Sequence, residues 1–144
     1  QFTYISLDDY RIVRDELLGE GKRSTDDRKN VPYSVFMTPP LSRVGMTEEQ
    51  ARESGADIQV VTLPVAAIPR ARVMNDPRGV LKAIVDNKTQ RMLGASLLCV
   101  DSHEMINIVK MVMDAGLPYS TLRDQIFTHP SMSESLNDLF SLVK

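Results

Sequence analysis

The residues best suited to chemistry lie together in FTHPSMSESLNDLF, positions 127–140. His129 is one of two histidines, Pro130 follows it, and Glu134 comes five positions after the ring. A carboxylate held against an imidazole fixes its tautomer and favours the imidazolium, which suits the ring to general acid–base work. A continuous helix cannot bring this pair together. Five residues turn a helix through about 140°, and a proline pushes the residue before it into extended backbone. The two meet only if the chain turns at Pro130, as a cis X–Pro bond allows, and a last helix starts just beyond it.

The same residues also spell a capping box, S-x-x-E, in which Ser131 caps the helix and Glu134 returns to the Ser131 N–H. Capping boxes are common and His–Glu dyads are not, so spacing alone favours the box. A carboxylate has two oxygens, and the arrangements are not exclusive. A hydrolase set of Ser131, His129 and Asp138 can be drawn, but no G-x-S-x-G elbow accompanies it. His103, beside Glu104 in the first turn of an apolar helix, reads as a surface or capping group rather than a metal ligand. Cys99, at a strand end, reads as a small buried apolar group. The methionines of KMVMDAG read as core or partner-facing filler.

The elements that must position these residues follow from periodicity. Ser6 to Asp9 reads as a helix start, with Ile12, Val13, Leu17 and Leu18 in helical period and Gly19 as the stop. Residues 19–30, GEGKRSTDDRKN, read as a linker. Strands are expected near 33–37, 57–63, 80–85 and 91–98, the last two joined as a hairpin by Asp86–Thr89. Thr47 opens a short helix that ends near Gly55. Asp101 or Ser102 caps a longer one, in which Met105, Ile106, Ile108, Val109, Val112 and Met113 form a broad apolar face ended by Gly116. A short helix covers 120–125 and a last one runs from about Met132 to Leu142. Strands first and helices last, with a hairpin between, point to an α+β fold: an antiparallel sheet with helices packed on one face.

Composition narrows the function classes. The 144 residues carry a formal net charge of −2, which gives no electrostatic footprint for nucleic acid or an anionic membrane surface. One cysteine excludes an internal disulfide and a Cys/His zinc site. No apolar run reaches the ~18 residues of a membrane span, no signal peptide is visible, and a cytoplasmic location is expected. GxGxxG, P-loop and HExxH motifs are missing, so tight binding of a dinucleotide by this segment alone is not expected. The apolar, strand-like start QFTYISLDDY, with no initiator Met, reads as the middle of a longer polypeptide.

Taken together, the segments resemble the C-terminal dimerisation domain of the pyridine nucleotide-disulfide oxidoreductases, the flavoprotein family of glutathione reductase, lipoamide dehydrogenase and mercuric reductase. FMTPPLSRVGMTE, from Phe36, is similar to that family's first strand pair and turn. GVLKAIVDNKTQRMLGASLL is similar to its hairpin, and HEMINIVKMVMDAG with LRDQIFTHPSMSES to its closing helices and His-Pro-x-x-x-Glu signature. In detail the segments are most similar to the bacterial branch linked to reactive chlorine resistance. Pro40 and Cys99 depart from the residues common in the family.

The resemblance implies a division into residues 1–30, the tail of an upstream nucleotide-binding region plus linker, and residues 31–144, the dimerisation domain. It implies a homodimer of an FAD-dependent, NAD(P)H-using reductase in which the His-Pro loop enters the partner subunit's active site. His129 would then be the acid–base and Glu134 its orienting group, with His129 and Pro130 bordering the flavin. FAD and NAD(P)H would belong to the full-length parent, and the acceptor stays open among disulfides, quinones and metal ions. A free-standing, non-catalytic dimerisation or binding module is the alternative from another class.

Overall fold

A computed structural model describes residues 2–144. After helix α1 (Thr3–Leu18), the chain forms β1 (Tyr33–Val35), β2 (Leu41–Gly45), α2 (Glu48–Glu53), β3 (Ile58–Pro64), α3 (Pro69–Val73), β4 (Val80–Asp86), β5 (Met92–Leu98), α4 (Ser102–Asp114), α5 (Ser120–Arg123) and α6 (Ser135–Ser141). The strands make one five-stranded sheet in the order β1-β2-β5-β4-β3, antiparallel at every step. The fold is the expected α+β arrangement, and the expected hairpin supplies two of the three inner strands.

Alternation along the strands sorts the sheet's faces. Val44, Val61, Leu81, Ala83, Val85, Ala95 and Leu97 point into a core closed by Met105, Ile106 and Val109 of α4, Leu122 of α5, and Leu136, Leu139 and Phe140 of α6. The alternate positions form the second face, where Lys82 pairs with Glu48 of α2. Helices α4, α5 and α6 therefore cover one face, with α2 at the other.

Local departures from the sequence reading have physical causes. Helix α1 starts at Thr3, ahead of Ser6, with Phe2 at its N-cap and no side-chain cap. It buries none of its residues and is tethered by polar contacts. Arg28 Nε donates to Asp8 at 2.7 Å, and Tyr4 Oη donates to Pro32 O at 2.9 Å. Strand β2 was not marked by apolar alternation because an inward position is a serine. Ser42 is fully buried and joins Ser34 Oγ at 2.7 Å and Ser102 Oγ at 2.9 Å, while Ser102 Oγ donates to Pro40 O at 2.9 Å. This row of hydroxyls ties β1 and β2 to the start of α4. A 3₁₀ turn at Val65–Ala67 and helix α3 bury Val65, Ile68 and Ala71 where the residue pattern marked no element. Asp101 precedes α4 in the left-handed region, at φ 59°, and its side chain makes no cap.

The last helix starts at Ser135, three residues later than expected. Its approach uses i→i+3 bonds, Ser135 N–H to Met132 O at 3.2 Å and Leu136 N–H to Ser133 O at 3.1 Å, so 132–134 form a tight turn rather than α-helix. Phe140, fully buried, anchors α6 to the core, whereas Ile126 in the preceding loop is 93% exposed. Phe140→Ala is expected to lower stability by about 3–5 kcal/mol, and Ile126→Ala to change it by less than about 0.5 kcal/mol. Urea unfolding of the two variants checks the contrast.

Candidate functional site

The site is a loop between two short helices. Helix α5 ends at Arg123, the chain runs through Asp124–Thr128, and the His129–Pro130 bond is cis. Thr38–Pro39 is cis as well, which the sequence reading did not anticipate. Phe127 packs against the core edge while Ile126 stands out in solvent.

At the tip of the loop, His129 Nδ1 lies 2.8 Å from Glu134 Oε1 and 2.9 Å from Oε2. The same carboxylate accepts the Ser131 N–H at 3.1 Å through Oε2, and the Glu134 N–H donates to Ser131 Oγ at 3.2 Å. Dyad and reciprocal box are therefore present together, sharing one carboxylate. The box closes the turn that leads into α6 instead of capping a helix begun at Met132.

Electrostatics assign the protons. The hydrogen bond from His129 holds the Glu134 carboxyl below its ordinary range, and the Ser131 N–H adds to the effect against the opposing influence of burial. An ionised carboxylate only accepts, so Nδ1 carries a proton, and in the neutral ring the lone pair is therefore on Nε2. The ring is 69% exposed and the carboxylate 19%, which points Nε2 away from its support. Among the described residues no hydrogen-bond partner meets Nε2. The arrangement can accept a proton at Nε2 and return it while Glu134 holds the ring at Nδ1.

The other candidates do not join this site. Ser131 Oγ is engaged by the Glu134 N–H, and no hydrogen bond connects Ser131 or Asp138 to His129, so the hydrolase set is not assembled. His103 lies against Phe36 with ring centroids 5.4 Å apart and the rings tilted by 60°, and its Nδ1 is enclosed without a partner. Among the described residues no group of three or more His, Cys, Asp or Glu is placed to hold a metal ion. Cys99 is buried against Met105 Sδ at 3.8 Å, and burial pushes its thiol up to about 12. Such a thiol supplies no thiolate at neutral pH.

Because Glu134 titrates below its unfolded value, its contribution to stability is fully present above the ordinary glutamate range and is lost as pH falls through the lowered value. The stability gap between the protein and Glu134→Gln is expected to stay level above about pH 5 and to close on further acidification. Urea unfolding at a series of pH values measures it, and a gap unchanged at low pH contradicts the assignment.

Comparison with known proteins adds an independent line. A family model for the pyridine nucleotide-disulphide oxidoreductase dimerisation domain matches residues 31–140. The probable pyridine nucleotide-disulfide oxidoreductase RclA of Escherichia coli (strain K12) is 99% identical over 144 residues, which are 100% of this chain and 33% of that relative. Mercuric reductase of Staphylococcus aureus is 35% identical over 136 residues, 94% of this chain and 25% of the relative. The solved HOCl-induced flavoprotein disulfide reductase RclA from Escherichia coli superposes with a TM-score of 0.99 at 99% identity, covering 100% of this chain and 33% of that one. LpdA from Mycobacterium tuberculosis has a TM-score of 0.80 at 21% identity, over 91% of this chain and 28% of that one, a likeness of fold. The chain spans a third or less of the length of these relatives. It belongs to the dimerisation domains of the pyridine nucleotide-disulfide oxidoreductases.

Proposed function

We propose that this domain supplies His129 and Glu134 as an acid–base pair to the partner subunit's active site in a homodimeric, FAD-dependent, NAD(P)H-using reductase. One observation carries the reading: Glu134 holds Nδ1 through both of its oxygens while Nε2 is presented on an exposed loop. Among the described residues nothing is placed for that nitrogen to act on. Its one thiol is buried and protonated, so the redox thiols that need a proton partner come from elsewhere.

An exposed imidazole beside an exposed isoleucine suits the edge of a flat, largely apolar ring system on a facing subunit. His129 and Pro130 would border the flavin there, and the flavin would pass an electron pair from the nicotinamide to the acceptor. Within that site Glu134 fixes the tautomer, and Nε2 takes a proton from a thiol as it becomes a thiolate and gives it back to the leaving sulfur. Residues 31–144 form the dimerising unit and 1–30 the connection from a preceding nucleotide-binding region. The limits of the family match and the absence of buried residues in α1 support that division.

In the full-length reductase, His129→Ala is expected to slow the acceptor half-reaction by about a hundredfold, while reduction of the flavin by the nicotinamide is unchanged. Stopped-flow kinetics separate the two steps. A variant with full turnover overturns the acid–base role and leaves a purely dimerising domain.

A further inference from the structure

The loop that presents His129 is held from both sides by one short helix. Glu134, immediately before α6, holds its far arm through His129 Nδ1 and the Ser131 N–H. Asn137, three positions on, holds its near arm. Asn137 Nδ2 lies 2.7 Å from Leu122 O, 3.1 Å from Arg123 O and 3.0 Å from Gln125 O. These carbonyls sit at and just past the end of α5, where a helix leaves its last carbonyls without partners. Ile126 N–H, which a continuing helix would send to Leu122 O, turns instead to Gln125 Oε1 at 3.0 Å. An amide has two N–H donors, so three carbonyls share two hydrogens and a side chain 12–15 residues away closes the helix end.

We propose that Asn137 is a positioning residue for the acid–base pair, setting where the His129 ring points by fixing the base of its loop. The inference rests on the acid–base reading above. Elsewhere on the loop Met132 is buried in the core on the far arm, whereas on the near arm Phe127 only touches the core edge and Ile126 touches almost nothing. Releasing the near arm lets residues 124–128 drift, and the imidazole tip drifts with them. Proton transfer falls steeply with small displacements of a catalytic group. On the acid–base reading, nicotinamide reduction of the flavin draws no proton from this loop and is expected to be unchanged.

The test is a double-mutant cycle in the full-length reductase with His129→Ala, Asn137→Ala and both together. Alanine is a better helix former than asparagine, so α6 itself is not weakened by the change. Asn137→Ala is expected to slow the acceptor half-reaction about tenfold, with flavin reduction and the dimer unchanged. In the His129→Ala background the same change is expected to cost less than about twofold, because the two act through one step. An equal loss in both backgrounds makes Asn137 merely structural and overturns the proposal. No loss in Asn137→Ala, with His129→Ala still slow, overturns the positioning role alone. No loss in His129→Ala sinks the acid–base reading and the proposal with it. If Asn137→Ala yields no folded dimer, Asn137→Ser, which keeps one donor, carries the same comparison.

Discussion

The Glu134 carboxylate is the contact on which the functional end of this domain depends. Its two oxygens face one ring nitrogen of His129, and one of them also takes the Ser131 N–H. A single charged group thus fixes a tautomer, closes a turn and joins that turn to α6. Exposed ion pairs contribute little by themselves because water competes for both partners. This one is different in kind, since the carboxylate is mostly screened by its own turn while the ring is not. Support is half-buried and reactive surface is exposed, and that asymmetry lets a surface histidine keep one orientation.

Beneath the loop, rigidity comes from packing. Leu136, Leu139 and Phe140 seat α6 on the sheet, and Leu122 seats α5 beside it. Fully buried side chains of this size resist displacement because the surrounding core cannot collapse to fill their place. The antiparallel sheet with β4 and β5 at its centre is the platform for both helices. A site built on secondary structure that is itself locked in a core holds its geometry better than one carried by free loops.

The sequence exposed those parts of this design whose partners are near one another along the chain. The β4–β5 hairpin was legible from alternation around Asp86–Thr89, and α4 from the spacing of Met105, Ile106 and Val109. The His129–Glu134 contact was legible as one of two arrangements: the turn at Pro130 permits it, spacing alone favoured the capping box, and the family resemblance favoured the dyad. Strand β2 was not, since Ser42 faces inward and its stabilising partner, Ser102, lies far along the chain. The start of α1 was misread because Ser6 imitates a cap inside an apolar run that is already helical. Asn137 looked like an ordinary polar helix residue. Its three carbonyl partners lie too far back along the chain for any local pattern to reveal them.

The hydroxyls of Ser34, Ser42 and Ser102, the last two fully buried, have a consequence for how the sheet assembles. Apolar side chains tolerate small slides against one another, whereas a hydroxyl must meet its acceptor at a defined distance and angle. A slip of β2 by one residue against β5 would turn Arg43 inward and carry Ser42 out to solvent. The first costs the burial of an unpaired guanidinium, and the second takes from the buried Ser102 hydroxyl its Ser42 partner, leaving it Pro40 O alone. The hydroxyl row thus acts as an alignment key: it adds little cohesion to the native register but makes the neighbouring one untenable.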